Sequence, residues 1–124
     1  APIDLPEAER QLELAVRAAP DHPEVIRGQA LAFSHEGDAD RAFETLRRGE
    51  RLNPLDPFFP RTLGEWYHYG HRYDEALAAR RREANLLDPG ENAIPLLWQA
   101  MAHLARGDTA RARIATLDGS SNPK

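Results

Sequence analysis

The sequence predicts an all-α fold in which helix pairs stack as a repeat array. Three observations carry this. Ala8, Ala42, Ala76 and Ala112 recur at separations of 34, 34 and 36 residues, and Pro20, Pro54 and Pro89 at 34 and 35. Gly37, Gly70 and Gly107 punctuate the middle of each unit. Apolar residues fall at helical spacing throughout, and no stretch alternates as a strand would. A period of this length marks helical repeats, each of which buries its apolar face only against its neighbours.

The elements follow in order. Leu5 to Ala19 carries Ala8, Leu12, Ala15 and Val16 on one face and is closed by Pro20-Asp21-His22-Pro23. Asp21 is placed to cap the next helix, with Glu24 three residues on in capping-box fashion. That helix runs to about His35 through Ile26, Ala30 and Phe33, and Glu36-Gly37-Asp38 is a turn. Asp38 or Asp40 opens a helix through Ala42, Phe43, Leu46 and Leu52, closed by Asn53-Pro54. Pro57 and Pro60 fit the first turn of the next helix, where amides have no intrahelical acceptor. Leu63, Trp66 and Tyr67 continue it to Gly70. Tyr73 to Leu87 follows, closed by Asp88-Pro89-Gly90. A helix from about Asn92 to Arg106 holds Ile94, Leu97, Trp98 and Met101. Gly107-Asp108 then turns into a last short helix ending near Leu117, which makes seven helices.

Composition bounds the function. At 41% apolar and 29% charged residues, the chain suits a folded helical domain rather than a disordered one. A net charge of −4 argues against a non-specific nucleic-acid binder. With no cysteine there is no disulfide, thiolate metal site or catalytic thiol. That leaves the redox compartment open, with cytoplasm favoured. No apolar run reaches the length of a membrane span, so membrane insertion is not expected. Ala1-Pro2-Ile3-Asp4 carries neither an initiator Met nor a targeting segment, which suggests a processed chain or an excerpt of a longer one.

The residues resemble the tetratricopeptide repeat family. Leu63-Gly64-Glu65-Trp66-Tyr67 matches that family's Leu-Gly-x-x-Tyr element, and Tyr73-Asp74-Glu75-Ala76 its second-helix opening. Leu52-Asn53-Pro54 and Leu87-Asp88-Pro89 match its unit ends. The first unit is looser, with Gln29-Ala30 standing for Leu-Gly and Phe33 for the aromatic. Arg80 departs from the pattern, standing where a bulky apolar side chain is usual. The resemblance implies a right-handed superhelix of one leading helix (5–19) and three helix pairs, 21–54, 56–89 and 92–117, within a single domain spanning 1–119. Residues 118–124 would be a flexible tail. Small residues would let paired helices approach closely, Gly64, Ala30 and Ala100 lying opposite Ala42, Ala76 and Ala112. The Ala- and Arg-rich style suggests a bacterial source.

In that family the first helix of each unit lines a concave groove. Transferred by phase, the groove would hold Glu24, Arg27, Leu31, Ser34 and His35, then Phe58, Arg61, Glu65, His68 and Tyr69, then Ile94, Leu97, Met101, Leu104 and Ala105. Its partner-binding residues are expected to be Arg27, Leu31, His35, Arg61, Glu65, His68, Tyr69, Leu97 and Met101. One half is mildly basic and the other apolar, suited to a peptide with an acidic and an apolar end. A carboxylate clamp is not expected, because Leu31 and Thr62 stand at its Asn positions, and Ile94 and Trp98 where it would need cations.

Other candidates read more simply. His68 and His71 stand beside Glu65, but Gly70 should end the helix between them, so no metal site is expected. Arg80-Arg81-Arg82 points in three directions on a helix and reads as a solvated convex face. Trp66 and Trp98 read as helix-packing residues. No phosphate loop, nucleophile elbow or paired-carboxylate motif is present, so neither an enzyme nor a cofactor is expected. The expected role is protein–protein interaction or scaffolding with a protein or peptide partner. The alternative is a structural module that positions a neighbouring domain or self-associates through its terminal helices.

Overall fold

The computed structural model describes residues 4–118, with side chains to residue 107. Every regular element among them is an α-helix: α1 Leu5–Ala18, α2 Pro23–His35, α3 Ala39–Leu52, α4 Phe58–Tyr69, α5 Tyr73–Asn85 and α6 Ala93–Asp118. There are six helices rather than the expected seven. The turn assigned to Gly107-Asp108 does not form, and α6 runs through it for 26 residues. A helical Gly costs only about 1 kcal/mol relative to Ala, and Ala105-Arg106 before it and Ala110-Arg111 beyond it are good helix formers. Of the expected tail 118–124, Asp118 instead ends α6, and the rest lies outside the described residues.

The helix starts follow from local chemistry. Asp4 Oδ1 accepts from the Glu7 amide at 3.1 Å and caps α1. The cap of α2 is His22 rather than Asp21, its Nδ1 accepting from the Glu24 amide at 3.1 Å. Asp21 is drawn away instead to Arg48 Nη2 at 2.5 Å. Asp38 caps α3 through the Arg41 amide at 3.1 Å. Asp56 Oδ1 takes the Phe58 amide at 3.0 Å where α4 begins.

The ends of α2 and α4 share one device. After α2, Gly37 N bonds Ser34 O at 3.0 Å and Asp38 N bonds Phe33 O at 2.9 Å, a Schellman motif with Gly37 left-handed at φ 81°. After α4, His71 N bonds His68 O at 3.0 Å and Arg72 N bonds Tyr67 O at 2.8 Å. Here the left-handed position falls on His71, at φ 62°, and not on the neighbouring Gly70.

The chain divides into two compact units, Ala1–Phe59 and Pro60–Lys124. In the first, α2 packs closely on α3. Ile26, Ala30, Ala42 and Leu46 are buried there. Gly49 lies under Phe59, and a Cβ on it would stand 2.2 Å from Phe59 Cε1. Helix α1 lies more lightly on α2 and buries none of its residues completely.

In the second unit α5 packs along α6. Leu63, Tyr67, Ala76, Leu77, Ala79 and Ala102 are buried. Gly64 does make a close approach, and its nearest neighbour is Arg80 rather than the expected Ala76: a Cβ there would stand 2.8 Å from Arg80 Cδ. The expected Ala100–Ala112 pairing of two helices does not occur, because both residues lie on α6. Ala100 is exposed, Ala102 is the buried small residue of α6, and the side chain of Ala112 lies outside the described residues.

Candidate functional site

The second unit holds its most distinctive chemistry between α4, α5 and α6. Arg80 and Glu83 sit one helical turn apart on the buried face of α5, only 3% and 1% exposed. Arg80 Nη1 donates to Glu83 Oε1 at 2.9 Å. From α4, Arg61 Nε donates to the other oxygen, Oε2, also at 2.9 Å. One carboxylate thus joins two guanidiniums, and the cluster keeps a surplus positive charge. That charge faces solvent at Arg61, whose side chain is 45% exposed. A buried pair of this kind adds little net stability, but breaking it leaves an uncompensated charge. Arg80 fits in place of an apolar residue because Gly64 gives its stem room and Glu83 neutralises its head.

The chain of contacts continues outward. The Arg80 guanidinium lies over the Trp98 ring, 5.2 Å from its centroid. His68 meets Trp98 edge to face at 5.0 Å and Tyr73 at 5.1 Å. Tyr69 meets Trp98 at 6.3 Å. Burial first, then the charges of Arg80 and of His71, holds the His68 pKa below the ordinary histidine value. His71 turns aside with the left-handed residue and approaches Tyr73, its Nδ1 3.4 Å from the phenol oxygen. Among the described residues no group of three or more His, Cys, Asp or Glu side chains is placed to hold a metal.

Beside this cluster α6 presents an apolar stripe. Ile94, Leu97, Met101 and Leu104 follow one another at helical spacing, and each is exposed. Tyr69 is 65% exposed, although its ring edge meets Trp98. Glu65 is exposed on α4.

The first unit holds the remaining expected residues. Leu31 and His35 line an open groove of about 1030 Å³ between α1 and α2. Arg27 does not line it. Its guanidinium covers the Phe58 ring at 3.6 Å, and its Nη1 pairs with Glu24 at 2.8 Å. Of the nine expected partner-binding residues, three lie in this unit. The other six, Arg61, Glu65, His68, Tyr69, Leu97 and Met101, lie in the second.

Sequence reasoning missed Glu83, and it placed Arg80 on a solvated face with Arg81 and Arg82. Only the latter two are exposed. The signal was present: an Arg at a core position followed three residues later by Glu is an ion pair waiting on one helix face. Reasoning from phase also missed Glu9, Glu13 and Glu36 on the α1–α2 groove. No described helix is long and apolar enough to cross a membrane. Comparison with models of known protein families, with curated proteins and with solved structures gave no match.

Proposed function

We propose that this chain is a partner-binding module of the tetratricopeptide kind, whose work is non-covalent recognition and scaffolding rather than catalysis. One observation carries the reading. Repeat phase assigns Leu31, Tyr69, Ile94, Leu97, Met101 and Leu104 to the faces that bind in that family, and these large apolar side chains are left 39% to 65% exposed. Residues assigned to the packed faces, such as Ala30, Leu63, Tyr67 and Ala76, are buried. Leaving a row of large apolar side chains in water is costly unless something covers it.

In the second unit the stripe stands with Tyr69, Trp98 and the surplus charge of Arg61. The partner is therefore a peptide segment with apolar residues for α6 and a carboxylate for Arg61. Tyr and Trp supply rigid contact area at little entropic cost, and Arg supplies a charge-assisted bond. So small a surface supports micromolar affinity, about −8 kcal/mol.

The test is selection from a displayed random-peptide library, followed by titration. Selected peptides should combine apolar and acidic residues. Leu97→Glu and Arg61→Ala should each weaken them about tenfold or more with helicity unchanged, since tenfold is only about 1.4 kcal/mol. Equal binding to these variants would remove the stripe as the site and leave the structural-module reading in its place.

A further inference from the structure

The α1–α2 groove belongs to the first unit and shares only Leu31 with the exposed apolar residues named above. We infer that it is a docking site for a basic amphipathic helix of a partner protein. Its floor is apolar: Leu5, Ala8, Leu12 and Val16 from α1 face Leu31 across it from α2. Leu5 and Leu31 are 48% and 59% exposed, and no residue of α1 is fully buried. Helix α1 is 14 residues long, which gives a trough of about 21 Å. That is the length of four turns of a second helix, laid in by its apolar side.

The rim decides the chemistry of the occupant. Beside the His35 imidazole it carries three carboxylates, Glu9, Glu13 and Glu36, against one guanidinium, Arg17. Among the described residues none of these four side chains takes part in an ion pair or hydrogen bond. Most acids elsewhere on this surface are already engaged: Glu7 with Arg10, Asp21 with Arg48, Glu44 with Arg47 and Arg51, Asp74 with Arg106. Unpaired carboxylates on both sides of an apolar trough attract Lys and Arg flanking an apolar face, and repel acids. The same charge argues against α1 of a second copy as occupant, because α1 with its Asp4 cap carries Asp4, Glu7, Glu9 and Glu13 against Arg10 and Arg17.

The probe is a labelled, helix-stapled peptide of about 18 residues with Leu on one face and Lys on the other, because short unstapled helices are marginal in water. Its control replaces every Lys with Glu. Fluorescence anisotropy with the whole chain should show micromolar binding of the Leu/Lys peptide, weakened by salt, and at least about tenfold weaker binding of the Leu/Glu peptide. Glu9→Lys/Glu13→Lys should reverse that preference. Glu36→Lys is the second variant. It sits at the end of α2, where a cation favours the helix, so its effect on binding is readable even if α1 tolerates the first change poorly. Asp40→Lys/Asp88→Lys makes the same charge change at two exposed positions that do not line the groove and should leave binding intact. Equal loss in the two double variants, or equal binding of the two peptides, would reduce the effect to bulk charge and overturn the proposal. So would sedimentation showing that the chain dimerises by itself and becomes monomeric on Leu12→Asp, which would make a second copy the occupant.

Discussion

Glu83→Gln is the sharpest test of the buried ion cluster. The change keeps the side chain's size and removes the charge between two guanidiniums. Arg80 is 3% exposed, so it cannot recover that charge from water. Breaking a buried pair costs about 3–5 kcal/mol, because the remaining charge stays desolvated. The Arg61 contact is worth much less: that side chain is 45% exposed, and screened pairs contribute about 1 kcal/mol or less. Glu83→Gln should therefore destabilise the second unit by about 3–4 kcal/mol, and Arg61→Ala by no more than about 1. Arg80→Met with Glu83→Leu should lie near wild type, since apolar groups of similar size replace both charges. Urea unfolding followed by Trp fluorescence reads this directly, because both tryptophans, Trp66 and Trp98, lie in the second unit. Circular dichroism would follow the whole chain in parallel. A Glu83→Gln midpoint near wild type, or an Arg61→Ala loss of equal size, would refute the account of the cluster.

Three other outcomes follow from local geometry. Gly64→Leu should destabilise by about 1–3 kcal/mol or more, because its Cβ would press on an Arg80 stem that Glu83 holds in place, and an unchanged thermal midpoint would exclude that contact. His71→Gly should stabilise by about 0.5–1 kcal/mol, since the left-handed position at φ 62° suits Gly, and a lowered melting temperature would count against it. His68 has a folded pKa below its unfolded value, so the unfolded chain binds more protons and stability falls as pH drops below about 6.5. His68→Asn should flatten the stability profile between about pH 7 and pH 5, and an unchanged slope would contradict the shift.

How much of this could be read from the sequence depends on which signals are local. Helix starts and stops were legible where a short-range hydrogen bond sets them, as at Asp38. They failed by one residue at His22, where Arg48 draws away Asp21, the residue expected to cap. Gly37 and Gly70 look like equivalent turn residues, but the two lie 33 apart, and the position 34 on from Gly37 is His71. The left-handed conformation followed the period rather than the residue type. The Gly107 turn failed because a Gly without a nearby Pro is a weak stop. Gly64 was recognised as a close approach, but its neighbour is set by α5 packing, which propensity does not encode. The burial of Arg80 with Glu83 required knowing which face of α5 is inside. Apolar spacing alone would bury Ile94, Leu97, Met101 and Leu104 of α6; only the phase taken from the family resemblance puts them on an open face, and they are exposed.

Met101 offers the most direct measurement of the central claim, that the α6 stripe is a binding face. It is the chain's only methionine, so a methyl-labelled sample gives one resonance from the middle of the stripe. Titration with a library-selected peptide should move that resonance in step with the calorimetric binding isotherm, reaching a plateau at the same ratio. Full calorimetric binding with the Met101 methyl signal unmoved would place the partner elsewhere and contradict the account.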